Sequence, residues 1–73
     1  MDAMDEIYKI RYDGGSYIGQ TPICEQATKI ARGYAESTGL SVLVACYWPG
    51  WKQPHENVYH PDGSVTHLWY GER

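Results

Sequence analysis

The sequence predicts a small α+β domain in which one helix packs on one face of a three- to four-stranded antiparallel sheet. Three observations favour this fold class: residues that alternate between apolar and polar near both ends of the chain, one amphipathic segment between them, and turns rich in glycine and proline. The predicted element order is β(β)-α-β-β-β. Because the chain has 73 residues and no linker-like segment, we expect residues 1–73 to form a single domain.

The first strand is predicted at residues 7–12, where aromatic and aliphatic side chains alternate with a second set that includes Lys9 and Arg11. The next four residues, Asp13-Gly14-Gly15-Ser16, favour a tight turn, because glycine adopts the positive φ that such turns require. Residues 17–20 then form either a short second strand or a loop, and the sequence leaves both interpretations open.

The middle of the chain predicts one amphipathic helix. Thr21 is suited to the N-cap and Pro22 to the first helical position, where its missing N–H costs nothing. Gly39 is placed just beyond the last turn, where a left-handed residue commonly ends a helix. The apolar residues that recur at helical spacing and form the core-facing stripe are Ile23, Ala27, Ile30, Ala31, Tyr34 and Ala35.

A third strand is predicted over residues 41–48, which are rich in β-branched and aromatic side chains and are followed by Pro49-Gly50. Alternation gives this strand one aliphatic set of side chains and an opposite set that includes Tyr47. The aliphatic set suits the side of the sheet that the helix covers, so Tyr47 is expected on the other side.

A β-hairpin is predicted near the end of the chain, around Pro61-Asp62-Gly63-Ser64. This tetrapeptide is typical of a type I turn closed by a glycine bulge, a common three-residue hairpin loop. The resulting register pairs Tyr59 with Val65 and Asn57 with His67. The hairpin residues expected on the face away from the helix are Tyr59, Val65, His67 and Trp69.

The charge distribution disfavours a nucleic-acid-binding protein. Six Lys and Arg against nine Asp and Glu give a net charge of −3, and Asp2, Asp5 and Glu6 all lie within the first six residues. We expect residues 1–6 to be an acidic, flexible N-terminus and the rest of the chain to be close to neutral. Binding to nucleic acid gains most of its affinity from basic side chains that displace counterions from phosphates, and this chain has few to offer.

The sequence predicts a cytoplasmic protein. No apolar run approaches the ~18 residues of a membrane span, and the acidic start lacks the basic and apolar regions of a secretory signal. Cys24 and Cys46 are too few for the disulfide framework of a small secreted domain, so both are expected as reduced thiols among apolar side chains. Cys24, in the first helical turn, is the more reactive candidate.

No motif predicts catalysis, a cofactor or a metal ion. His55, His60 and His67 match no zinc-ligand spacing, and the hairpin register points the last two to opposite faces of the sheet. Nothing in the sequence places a base or an oxyanion hole beside Cys24. We therefore expect a protein that is not an enzyme and that binds neither cofactor nor metal.

The surface that remains points to a binding function. One helix covers one face of a sheet, and an uncovered face is ordinarily polar, whereas here it is predicted to be rich in aromatic rings. Aromatic residues and arginine are enriched at the centres of protein interfaces. The loop after the third strand adds a tryptophan and a lysine between prolines. The residues predicted to bind a protein partner are Lys9, Arg11, Tyr47, Trp51, Lys52, Tyr59, His67 and Trp69.

Two alternatives remain open. Antiparallel sheets also stack single-stranded nucleic acid on aromatic rings beside Lys and Arg, although positive charge is sparse here and the RNP1 pattern is absent. In the second alternative, the aromatic face is the interface of a homodimer. Dimerisation would help a domain of this length, which buries only about 60% of the surface that its unfolded chain exposes.

The layout resembles that of accessory proteins of bacteriophages and mobile elements, among them some anti-CRISPR proteins. The features that carry the resemblance are the β-α-β-β order, the acidic 8.3 kDa chain, the Gln26-Ala27 and Ile30-Ala31 pairs of the helix that follows Thr21, and the ending Tyr59–Gly63 with Leu68-Trp69. The resemblance implies a stoichiometric inhibitor that occupies a working surface of a host defence complex. It gives no individual residue a role.

Overall fold

The structure, a computed structural model, describes residues 6–49 and 54–68. One helix lies across a five-stranded antiparallel sheet with the strand order β2-β1-β3-β4-β5. The elements along the chain are β1 (Ile7–Tyr12), β2 (Tyr17–Thr21), α1 (Cys24–Thr38), β3 (Val42–Tyr47), β4 (His55–Tyr59) and β5 (Val65–Leu68). The predicted α+β class is therefore confirmed. Within the described ranges, no helix is long and apolar enough to cross a membrane.

The segment from Tyr17 to Thr21 is a strand, which settles the question that the sequence left open. It pairs with β1 through a turn in which the Tyr12 N–H donates to the Ser16 carbonyl at 2.9 Å and Gly14 adopts a φ of 76°. The register shifts between Ile10 and Arg11, which is the mark of a β-bulge. With this second strand the sheet has all five strands of the order β(β)-α-β-β-β, so the predicted count of three to four strands was too low.

The helix begins at Cys24, so the predicted start at Thr21 and Pro22 is wrong. Thr21 belongs to β2, where its backbone pairs with Tyr8. Its hydroxyl accepts a hydrogen bond from the Ile23 N–H at 3.1 Å and donates to the Gln26 side chain at 3.0 Å, so it holds the strand-to-helix connection without capping the helix.

The helix ends as predicted, at a left-handed glycine. Gly39 has a φ of 74°, and its N–H donates to the Ala35 carbonyl at 3.0 Å. A residue without a side chain adopts this conformation at little cost, so Gly39 stops the helix and turns the chain toward β3.

The contact between helix and sheet is made by small side chains. Ala27, Ala31 and Ala35 are fully buried, whereas Ile23 and Tyr34 of the predicted stripe are 49% and 43% exposed. The predicted stripe was therefore too wide, because Ile23 and Tyr34 at its edges stay largely exposed, while Ile30 packs partly buried beside the alanines. The buried residues of this main core are Tyr8, Ile10, Ala27, Ala31, Ala35, Val42, Val44 and Cys46.

The final hairpin has the predicted register. Tyr59 pairs with Val65, Asn57 pairs with His67, and the His60 N–H donates to the Ser64 carbonyl at 2.9 Å. The turn closes through Gly63, whose φ is 95° and whose N–H donates to the His60 carbonyl at 3.0 Å.

Candidate functional site

The structure does not bring the predicted binding residues together on one surface. Lys9, Arg11 and Tyr47 lie on the face of the sheet that points away from α1, as expected. Tyr59 and His67 lie on the helix side instead, so their predicted placement is wrong. The remaining predicted residues, Trp51, Lys52 and Trp69, lie outside the described residues, as does the predicted flexible segment up to Asp5.

The register between β3 and β4 explains this division. Val42 pairs with Tyr59, and Val42 is a core residue beneath the helix, so Tyr59 also points toward the helix. Leu43 pairs with Val58 one residue further on, and these two side chains point the other way. Successive residues of a strand alternate between faces, so this one register assigns every side chain of the hairpin to its side.

We call the surface opposite the helix the open face. Its centre is a small apolar cluster of Leu43, Ala45 and Val58, which are 3%, 5% and 5% exposed. The expectation of a continuous ring-rich surface is therefore corrected, because aliphatic side chains fill the middle. The residues around this cluster that reach solvent or lie at its margin include Lys9, Arg11, Tyr17, Tyr47, Glu56, Thr66 and Leu68.

Two basic side chains lie next to the apolar cluster. Lys9 is the cross-strand neighbour of Ala45, and Arg11 is the neighbour of Leu43. The Lys9 ammonium lies 5.2 Å from the centre of the Tyr47 ring, within the range of a cation–π interaction. Glu56 flanks Ala45 on the opposite strand, so the open face carries both signs of charge.

Sequence reasoning missed two large hydrophobic side chains that the open face exposes, Tyr17 and Leu68. Tyr17 is 61% exposed and pairs with Arg11, and its hydroxyl donates to the Gln20 side chain at 3.0 Å. The signal was present in the alternation of residues 17–20, but the bulge shifts the pairing and weakens the pattern. Leu68 is 38% exposed and pairs with Glu56 on the open face. It was expected on the helix side, because the sequence analysis exchanged the two faces of the hairpin.

Tyr59 is part of the helix–sheet contact. It is half-buried against the main core, and the Arg32 guanidinium lies 5.4 Å from its ring centre. Its hydroxyl lies 3.4 Å from the Thr28 hydroxyl, so the ring is held by two residues of α1. These contacts give Tyr59 a structural explanation that needs no partner.

The three histidines lie in different places. His67 is exposed and its Nδ1 is hydrogen-bonded to the Asn57 side chain. His60 uses both ring nitrogens, with Nδ1 2.9 Å from the Ser41 hydroxyl and Nε2 2.8 Å from the Thr66 hydroxyl. His55 meets the Trp48 ring edge-on at 5.4 Å between centroids.

Metal-ligand geometry is a separate question from the positions of the histidines. Over residues 6–49 and 54–68, no three His, Cys, Asp or Glu side chains form a group that could hold a metal ion.

The two cysteines have opposite environments, and neither forms a disulfide. Cys46 is buried in the main core as predicted, and burial raises the pKa of its thiol from 9.0 to about 11. Cys24 is exposed at the first position of the helix, so the expectation that it packs among apolar side chains is wrong. Burial and a 2.6 Å hydrogen bond to Glu6 also raise the pKa of Tyr8 above its ordinary value of 10.0.

Comparison with known proteins finds no matching family model, no matching curated protein and no matching solved structure.

Proposed function

We propose that this protein is a non-catalytic binding module whose open face docks on a protein partner. The observation that supports the proposal is the display of Tyr17, Tyr47 and Leu68 beside Lys9 and Arg11, on a face over which no helix or strand of the described residues lies. Tyrosine and arginine beside apolar side chains are typical of the centres of protein interfaces.

Rigidity favours this surface as a binding site. The apolar cluster of Leu43, Ala45 and Val58 lies on the central strand β3 and its neighbour β4, so the spacing of the surrounding side chains is set by the sheet ladder rather than by a loop. Tyr17 is additionally held by Gln20, and Tyr47 by Lys9. Side chains that are ordered before binding lose little conformational entropy when the partner arrives.

We further propose that the partner is a host protein complex in the cytosol and that the module inhibits it by occupying a working surface. The support is the resemblance to anti-CRISPR proteins together with the character of the open face, which suits occupancy rather than chemistry. A titration of a CRISPR effector complex separates this mechanism from catalysis. If the module inhibits by occupancy, nuclease activity falls linearly with the amount of module added and reaches its minimum at one module per effector complex. Full inhibition by much less than one module per complex contradicts occupancy.

Direct binding to the partner tests the docking surface itself. Lys9→Glu reverses a charge on the open face, and Lys29→Glu makes the same change on the exposed side of the helix. Both variants have the same net charge, so only the position of the change differs. We expect Lys9→Glu to weaken capture of the partner and Lys29→Glu to retain it. Equal capture by the wild type and both variants removes the open face as the docking surface.

A second candidate function is the binding of single-stranded nucleic acid on the same face. The observation that favours it is the placement of Tyr17 and Tyr47 on one side of the sheet with Lys9 and Arg11, an arrangement in which bases stack on rings while cations contact phosphates. Labelled single strands titrated at two salt concentrations test it. Binding that weakens steeply with salt and is lost in Lys9→Glu favours this function, and no binding at low salt eliminates it.

A further inference from the structure

The two edges of the sheet differ in their protection against strand pairing. β2 forms one edge, and it carries a bulge in its pairing with β1, a glycine at position 19 and Pro22 immediately after its end. Bulges and prolines are among the devices by which natural sheets block edge-to-edge association. β5 forms the other edge, and its residues Val65-Thr66-His67-Leu68 include no proline, no lysine and no bulge.

The backbone of β5 directs a defined set of polar groups outward. The His60 N–H donates to the Ser64 carbonyl, which makes this a hydrogen-bonded pair of the ladder. Antiparallel pairs alternate, so Thr66 turns its N–H and C=O toward β4, whereas Val65 and His67 turn theirs to the free edge. Within residues 6–49 and 54–68 the helix does not cover this edge, because α1 contacts β1 to β4 but not β5.

We propose that β5 pairs antiparallel with β5 of a second copy of this chain, which joins the two sheets across a two-fold axis at Thr66. Within Val65–Leu68, this register places Val65 opposite His67 of the second copy, and His67 opposite Val65 of the second copy. Both outward-facing residues then form hydrogen-bonded pairs. If the register were displaced by one residue, backbone N–H and C=O groups that point outward on one copy would face groups that point inward on the other. The hydrogen bonds between the copies would then be lost.

The side chains of β5 fit self-association. A two-fold axis sets the central residue against itself, so a charged residue at that position would repel its copy, whereas a threonine pair is favourable. The neighbours across the junction are an imidazole and a valine, so no two ionisable side chains face each other there. Because β2 is protected, pairing through β5 ends with two chains and does not continue into a filament.

Sedimentation equilibrium tests the dimer over a concentration range of about 5 to 500 µM, since a homodimer dissociates on dilution. We expect the wild type to move from monomer to dimer across this range. Val65→Pro removes an outward N–H at the first residue of the strand, where proline is tolerated, and is expected to stay monomeric. Val65→Thr keeps the N–H and the β-branched shape and is expected to dimerise as the wild type does. A monomer at every concentration in the wild type overturns the proposal and leaves the edge to an extended segment of another protein.

A charge exchange at Thr66 tests the symmetry and does not depend on the proline variant folding. Thr66 is exposed, so a long charged side chain fits there in the monomer. Thr66→Lys and Thr66→Glu are each expected to be monomeric, and an equimolar mixture is expected to dimerise at least tenfold more tightly than either alone. A mixture that stays monomeric, or variants that dimerise unmixed, contradicts the two-fold at Thr66. Thr66 pairs with Val58 and so lies on the open face, but sedimentation reports only the association of this chain with itself. Failure of the dimer therefore leaves the proposed binding of a protein partner to be judged by its own test.

Discussion

The Lys9 ammonium lies 5.2 Å from the centre of the Tyr47 ring on the side of the sheet away from the helix. The two residues are diagonal neighbours, because Lys9 pairs with Ala45 and Tyr47 pairs with Ile7. This contact holds a cation and a ring in a fixed relation, and both remain exposed to solvent.

Tyr47→Ala is expected to weaken binding to the protein partner about tenfold or more, since an aromatic anchor at an interface contributes more than 1 kcal/mol. Tyr34→Ala is a matched control, because both rings are 43% exposed and Tyr34 lies on the helix. Titration calorimetry or surface plasmon resonance with the captured partner measures the difference. An equal loss of affinity in both variants would show that general surface aromaticity, and not the open face, supports binding.

Tyr59→Ala is expected to destabilise the fold by about 2 kcal/mol, because it removes a half-buried ring from the helix–sheet contact. Urea unfolding followed by circular dichroism measures the change, with Tyr47→Ala as the comparison that keeps stability within about 0.5 kcal/mol. A Tyr59→Ala variant as stable as the wild type would contradict the placement of this ring beneath Arg32 and Thr28.

The helix–sheet contact is expected to respond in opposite directions to two enlargements. Ala31 is fully buried, so Ala31→Leu overpacks the contact and costs about 1–3 kcal/mol of unfolding free energy. Gly33 lies on the exposed side of the same helix with open space at its Cβ position, so Gly33→Ala gains about 0.5–1 kcal/mol. Thermal and urea unfolding of both variants check the signs. A stabilised Ala31→Leu would mean that the layers are further apart than the structure shows.

The fold is expected to lose stability as the pH rises above about 9. The pKa of Cys46 is raised from 9.0 to about 11, so between these values the unfolded chain releases a proton that the folded chain retains. The shift of Tyr8 has the same sign and acts above pH 10.0. Stability from both groups is therefore complete below pH 9 and declines above it.

Urea unfolding at pH 8, 9, 10 and 11 checks this prediction, and Cys46→Ala is expected to flatten the decline between pH 9 and 11. A thiol reagent provides an independent control, because Cys24 is exposed and reacts in the folded state while Cys46 reacts only on unfolding. An unchanged slope in Cys46→Ala would assign the alkaline loss to other groups.

Local chemistry made much of the fold predictable from the sequence. The turn at Pro61–Ser64 fixes the pairing of Tyr59 with Val65 through short-range bonds, and the hairpin register is confirmed for that reason. The glycine after the helix is confirmed for a similar reason, since the left-handed conformation is a property of one residue.

The orientation of the hairpin relative to β3 could not be predicted in the same way. A turn determines how β4 and β5 pair but not which residue of β3 lies beside Tyr59, and a shift of one residue exchanges the two faces. Thr21 shows a similar limit, because its N-cap preference is overridden by a backbone pairing with Tyr8. The candidate site depends on that long-range register, so among the five predicted binding residues that the structure describes, Lys9, Arg11 and Tyr47 lie on the expected face and Tyr59 and His67 do not.

The alanine contact of the helix has a consequence for how the two layers stay aligned. Methyl groups interlock poorly, so Ala27, Ala31 and Ala35 alone would allow the helix to slide or rotate over the strands. Aromatic rings on both flanks prevent this: Tyr12 meets Tyr34 edge-on at 6.3 Å on the β1 side, and Tyr59 meets Arg32 on the β4 side. The aromatic rings on either side of the alanine contact therefore set the direction in which the helix crosses the sheet.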